Sequence, residues 1–139
     1  MRGHPPSTAI AAAATGALLL AGCGLNVKSP DLFMLKRTGP SGTLTMLIND
    51  DGTIRCNGGA AKQLPDPLLL QARDLATSLD KDAKAKLEIA AAARSVDFYT
   101  VQLQNGKITF PDTAGTTHNE LAQAELFALK VGQGPCSIT

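Results

Sequence analysis

The sequence has no tryptophan and a single tyrosine, Tyr99, so it lacks the aromatic residues on which proteins stack sugars or nucleobases. Its 13 Lys and Arg side chains nearly balance its 12 Asp and Glu side chains, and the two signs are interspersed along the chain. Binding to nucleic acid through phosphate contacts requires a basic face. We therefore expect no nucleic-acid partner.

Histidine is also scarce, with only His4 and His118 in the chain. A zinc site takes three or four ligands, and a serine or cysteine nucleophile needs a base beside it. The run Asn49-Asp50-Asp51-Gly52 lacks the later ligands and the glutamate of an EF-hand loop, and is typical of a turn. We therefore expect no metal, no cofactor, no catalytic residues and no enzymatic activity, with a small hydrolase as the least favoured alternative.

The longest apolar run lies at the N-terminus. Residues 1–8 are polar and include Arg2, residues 9–20 are apolar or small apart from Thr15, and small residues follow up to Cys23. This is the order of regions in a secretory signal. The apolar run has about 12 residues, whereas a membrane-spanning helix needs about 20. The segment is therefore predicted to be a signal peptide rather than a transmembrane helix.

The end of this segment resembles the signal of bacterial lipoproteins. Its motif is Leu20, Ala21, Gly22 and Cys23. The resemblance implies cleavage between Gly22 and Cys23, a thioether-linked diacylglycerol on Cys23 and often a further fatty acid, such as palmitate, on its amine. Two acyl chains give stable membrane binding, whereas one gives only marginal binding. An ordinary secretory signal with a chance cysteine is the alternative.

These features predict three segments. Residues 1–22 are a signal peptide that is removed, residues 23–31 are a lipidated tether, and residues 32–139 are one small domain. Loss of Arg2 leaves twelve basic and twelve acidic side chains. We expect the protein to be held on the extracytoplasmic face of the cell membrane through lipid on Cys23, with the choice between an inner and an outer membrane open.

Two cysteines remain in the domain, Cys56 and Cys136. Outside the cytoplasm, an even pair favours a disulfide. Such a bond would close a loop of about 80 residues and stabilise the fold by roughly 4 to 5 kcal/mol in the chain-entropy model, with measured values often lower. Two free buried thiols are the alternative.

Strand signals fall in two groups. Residues 32–38, 43–48 and 53–57 are separated by Gly39-Pro40-Ser41-Gly42 and by the turn ending at Gly52, which predicts a three-strand meander. Residues 96–104 and 107–110 flank Asn105-Gly106, a strong hairpin signal. A two-residue Asn-Gly turn would pair Gln104 with Lys107 and Leu103 with Ile108. The alternation predicts one core face for the hairpin, made by Tyr99, Val101, Leu103, Ile108 and Phe110.

Apolar residues at helical spacing predict two helices. The first has Asp66 as N-cap and Pro67 in its first turn, and runs to about residue 79 with a less certain extension to 87. The second starts at a capping box formed by Thr117 and Glu120 and ends at Gly132 or Gly134. The fold class is therefore α+β, with an antiparallel sheet of about five strands and two helices packed on one face.

The order of elements resembles emfourin, a small α+β inhibitor of thermolysin-like metallopeptidases. The likeness rests on an apolar strand followed by Arg-Thr-Gly-Pro-Ser-Gly at 37–42, a helix near 68–79, and Asp-Phe-Tyr at 97–99 leading into the Gly-Lys hairpin at 106–107. It implies inhibition of such a peptidase, and no inhibitory residue can be transferred from it. The chain also resembles small actinobacterial lipoproteins of unassigned role.

The anchor and the lack of a catalytic set together predict a non-enzymatic protein-binding module with a protein partner. A peptidase inhibitor at the cell surface is its specific form. The alternative is a structural or assembly accessory of the cell envelope.

Overall fold

A computed structural model of the chain describes Gly3 and residues 27–137, so the predicted signal, its cleavage motif and Cys23 lie outside the described residues. In chain order, the elements are β1 (Asp31–Gly39), β2 (Gly42–Asn49), β3 (Thr53–Cys56), β4 (Ala61–Gln63), α1 (Asp66–Lys84), β5 (Phe98–Leu103), β6 (Gly106–Pro111), a 3₁₀ turn (Asp112–Thr116) and α2 (Asn119–Gln133).

Within residues 27–137, the strands form one six-stranded antiparallel sheet in the order β4-β3-β2-β1-β5-β6. The α+β class with an antiparallel sheet and two helices is confirmed, and the meander and the later hairpin are joined by the pairing of β1 with β5. The sheet has one strand more than the sequence suggested. Strand β4 is only Ala-Lys-Gln, whose residues have little intrinsic preference for strands, and it is defined by its pairing with β3.

The core lies between one face of the sheet and the two helices. Strand residues alternate between buried and exposed, as expected for a sheet with one covered face. The sheet contributes Phe33, Leu35, Leu44, Met46, Ile48, Ile54, Tyr99, Val101, Leu103, Ile108 and Phe110, and the helices contribute Ala72, Leu75, Leu79, Ala83, Leu121, Ala124, Phe127, Ala128 and Val131. The opposite face carries Lys36, Thr38 and Arg55, all exposed.

Both predicted helix N-caps are wrong. Pro65 is the N-cap of α1, Asp66 is already helical, and no side chain caps the first turn. The Pro65 carbonyl accepts the amides of Leu68 and Leu69. Helix α1 continues past 79 to Lys84, within the extension to 87 that the sequence allowed.

At the second helix the capping box does not form. Thr117 follows the 3₁₀ turn, and its hydroxyl donates to the carbonyl of Ala114 at 3.3 Å instead of capping α2. His118 is the N-cap residue, and its ring lies 3.5 Å from the Glu120 carboxylate. The helix ends at Gln133 with Gly134 as C-cap, which was one of the two predicted stops.

The later hairpin forms, but its register is two residues away from the prediction and its turn lies one residue earlier. Its last pair is Leu103 with Gly106, so the turn residues are Gln104 and Asn105 and glycine belongs to the strand. Gly106 lies so close to the carbonyl of Ala83 at the end of α1 that a Cβ would overlap it. The predicted core face is nevertheless correct, because the observed register keeps the same strand residues on the buried side.

Candidate functional site

An open groove lies where the ends of β1 and β5 meet helix α2. Its volume is about 340 Å³. It is lined by Arg37, Asp97, Tyr99, Ala122, Glu125, Leu126 and Leu129. We call it the β5–α2 groove. Antiparallel pairing places Arg37 opposite Tyr99, so both strands present side chains at the same end of the sheet.

One wall of the groove is apolar and belongs to α2. Leu126 is 41% exposed and Leu129 is 47% exposed, and they are two of the five large exposed hydrophobic residues among those described. The helix buries Leu121, Ala124 and Phe127 against the core. Because residues three to four apart share a face of a helix, Leu126 and Leu129 fall together beside the buried stripe. This wall is therefore exposed although it is part of a folded helix.

The opposite side of the groove is acidic. The Asp112 carboxylate accepts the backbone amides of Val96 and Asp97 at 3.2 Å each, and the Asp112 amide donates to the Asp97 carbonyl at 2.9 Å. These bonds hold the start of β5 against the 3₁₀ turn. The Asp97 carboxylate lies over Gly39, where a Cβ would overlap it. Glycine at 39 therefore leaves the space that this carboxylate occupies.

Glu125 is the second carboxyl that lines the groove, and it projects from α2. Burial, together with the negative charges of Asp112 and Asp97, raises its pKa to about 7, against the opposing effect of the Gly115 amide. Its Oε1 atom is buried and has no hydrogen-bond partner in the described part of the chain. Near neutral pH this carboxyl is therefore only partly ionised.

Arg37 from β1 and Tyr99 from β5 also line the groove. The Arg37 Nε atom is buried and has no hydrogen-bond partner within residues 27–137, while its Nη2 lies 3.4 Å from the Ser41 hydroxyl. Burial raises the pKa of Tyr99 to about 12, with Asp97 and Glu125 adding to the effect, so the phenol stays protonated at physiological pH. Its ring stacks on Phe110 with the centroids 5.2 Å apart, which fixes its direction.

The arrangement suits binding better than acid–base chemistry. Two carboxyl groups and one guanidinium line the groove, and the nearby Asp112 adds a further negative charge, so acidic groups outnumber the basic group next to the aliphatic wall. A buried donor and a buried acceptor without partners cost free energy until a ligand or water satisfies them. The groove therefore has apolar, charged and hydrogen-bonding features that a polypeptide segment could meet together.

The structure bears on two of the cysteines predicted as site residues. Cys56, at the end of β3, and Cys136, after α2, form a disulfide with their Cα atoms 5.6 Å apart. It joins the sheet to the end of the last helix, where the Cys136 amide also donates to the Val131 carbonyl. The pairing expected from the sequence is confirmed, and the bond lies outside the β5–α2 groove.

The remaining features taken from the sequence do not gather into a site. His118 stands at the start of α2 beside Glu120, and the run 49–52 forms a turn in which the Asn49 and Asp51 side chains accept backbone amides two residues on. No group of three or more potential metal ligands occurs among the described residues. No helix among them has the length and apolar character needed to cross a membrane.

The sequence did not predict the groove. Its residues come from three separate stretches around 37, 97–99 and 122–129, and only the tertiary structure brings them together. The one sequence signal available was the pair Leu126 and Leu129, which falls off the buried stripe of the predicted helix. Comparison with known proteins adds nothing here, since the chain matches no protein-family model, no curated protein and no solved structure.

Proposed function

We propose that this protein is a lipid-anchored module of the extracytoplasmic membrane surface that binds another protein through the β5–α2 groove. The observation that carries the proposal is that the exposed pair Leu126 and Leu129 lies in the same groove as the carboxyl groups of Asp97 and Glu125. Exposed large apolar side chains grouped at one place are typical of protein-interaction surfaces. The anchor is supported by the Leu20 to Cys23 motif.

The position of the groove is compatible with such an anchor. Val27 is buried, and a chain from Cys23 to Val27 can span at most about 14 Å. The chain enters the sheet at Asp31, whereas Arg37 lies six residues further along β1, about 20 Å away. The groove is therefore at the end of the sheet remote from the point of attachment, where a partner can approach.

The anchor is tested by metabolic labelling with a fatty acid in cells that make the wild-type chain or Cys23→Ser. We expect label in the wild-type protein and its loss in the variant, which should also accumulate with residues 1–22 attached. Unlabelled wild-type protein, or a variant that matures and fractionates unchanged, would refute the anchor.

The specific form of the proposal is inhibition of a thermolysin-like peptidase, which follows from the resemblance to emfourin. It is tested by titrating the purified protein against such a peptidase with a fluorogenic peptide. We expect activity to fall with a sharp end point, and to recover when Leu126→Asp replaces the wild-type protein. Full peptidase activity at micromolar protein would refute inhibition while leaving binding to a different protein open to the experiment described next.

A further inference from the structure

The geometry points to the chemistry of the partner: we infer that the β5–α2 groove receives an extended peptide segment in which a Lys or Arg lies next to an aliphatic residue. This inference rests on the proposed function, because it names the class of protein segment that the module binds. Three independent features of the groove support it: its apolar wall, its charge and its unsatisfied polar atoms.

The apolar wall selects an aliphatic side chain. Leu126 and Leu129 are one helical turn apart and remain nearly half exposed, with Ala122 one turn before Leu126. Because the side chain of Ala122 is only a methyl group, it leaves room for a ligand side chain between the helix and the strand ends. Covering two exposed leucines removes apolar surface from water, which favours association.

The charge of the groove selects a cation next to that side chain. Asp97 and Glu125 line the groove, Asp112 lies close enough to act on the Glu125 carboxyl, and Arg37 is the one basic residue among the groove's lining residues. Like charges held together at a partly desolvated site are relieved by an added positive charge. An ammonium or guanidinium group between Asp97 and Glu125 is therefore the complementary ligand group, and a carboxylate in its place would be repelled.

The unpartnered polar atoms select a polypeptide backbone. Arg37 Nε is a donor without an acceptor, and Glu125 Oε1 is an acceptor without a donor. A peptide unit supplies both complements, since its carbonyl accepts and its N–H donates. Both atoms are buried as placed, so a ligand reaches them only after these side chains, which line an open groove, change rotamer.

The inference is tested by panning a phage-displayed library of random peptides against the protein purified in detergent as the cell processes it. We expect selected sequences to share a Lys or Arg adjacent to Leu, Ile, Val or Met. Binding of selected phage should fall roughly tenfold or more on the Leu126→Asp/Leu129→Asp variant. It should be unchanged on Leu70→Asp, because Leu70 is the most exposed large apolar residue described and lies on α1.

A synthetic copy of a selected peptide then tests how much the basic residue contributes to binding, apart from the aliphatic residue. Replacing its basic residue by glutamine should weaken binding roughly tenfold, and replacing it by glutamate should weaken it further, measured by fluorescence anisotropy. The circular dichroism spectra of both leucine variants should match the wild type, since each changed side chain is exposed.

Three results would overturn the inference: failure to enrich any sequence family, enrichment of peptides without a basic residue, or equal binding to the Leu126→Asp/Leu129→Asp variant. Peptides that bind outside the groove would still support a protein-binding module and would refute only its location and chemistry. Absence of the fatty-acid label from the wild-type protein in the earlier experiment would refute the anchor and leave this inference standing. The lipid anchor and peptide binding in the groove can therefore be refuted independently of each other.

Discussion

The ring of Phe127 on α2 meets the ring of Phe33 on β1 edge to face, with the centroids 5.7 Å apart and the planes inclined at 69°. Both side chains are fully buried. This contact holds the last helix against a central strand of the sheet, and so fixes the helix that forms one wall of the β5–α2 groove.

Truncating this contact should destabilise the whole fold. We expect Phe127→Ala to lower the free energy of unfolding by about 3 to 5 kcal/mol, because it removes a buried ring and leaves a cavity. Leu129→Ala on the same helix is the matched control and should change stability by less than about 1 kcal/mol, since Leu129 is 47% exposed. Urea unfolding followed by circular dichroism measures both, and equal losses would contradict the assignment of Phe127 to the core.

The Cys56–Cys136 bond should be a major stabiliser of this small domain. Replacing both cysteines by alanine should lower the free energy of unfolding by about 2 to 4 kcal/mol, because the unfolded chain then regains the freedom of a loop with a sequence separation of 80 residues. A thiol reductant should reduce the stability of the wild type to a similar degree. It should leave the double variant unchanged, and a response of the variant to reductant would indicate a different origin of the effect.

Two glycines should respond to alanine with opposite signs. Gly106→Ala should destabilise by about 1 to 3 kcal/mol, because the added Cβ overlaps the Ala83 carbonyl at the end of α1. Gly132→Ala should be neutral or stabilise by up to about 1 kcal/mol, since the position is helical and the Cβ makes an ordinary 3.4 Å contact with Leu44. Thermal unfolding of the two variants measures the contrast, which disappears if Gly106 is not packed against α1.

Glu125 should give the fold a pH-dependent stability. Its pKa is about 7 when folded against an ordinary value of 4.5, so the folded state holds the proton more tightly than the unfolded state. Its contribution to stability is therefore complete below about pH 4.5 and is lost as the pH rises through about 7. Because solvent reaches the carboxyl, the loss should be only about 1 kcal/mol.

The variant Glu125→Gln isolates this effect, since its amide does not ionise. Relative to the wild type, it should gain about 1 kcal/mol of stability between about pH 5 and about pH 8. Glu88→Gln, which changes an exposed carboxyl, should show no such gain. Parallel urea titrations at the two pH values measure the difference, and an identical pH profile for wild type and Glu125→Gln would show that neither burial nor the two aspartates raise the pKa of this carboxyl.

Much of the architecture was predictable because local signals and burial agree. Alternation along residues 43–48, the turn ending at Gly52 and the helical spacing of Leu75 and Leu79 each predict the element that forms. The errors occur where a distant segment intervenes. The hairpin register depends on Gly106 meeting α1, and β4 exists only through its pairing with β3, so neither is encoded in a short stretch of sequence.

By itself, the sequence determined the α+β class and the buried face of the β5–β6 hairpin and favoured the pairing of Cys56 with Cys136, because periodicity and cysteine number are properties of the chain. The tertiary structure alone decided the β5–α2 groove. Its charge and its apolar wall come from strand ends and a helix more than 80 residues apart in sequence, as with Arg37 and Glu125. Such proximity follows from the way the helices pack on the sheet, and no local pattern of residues carries that information.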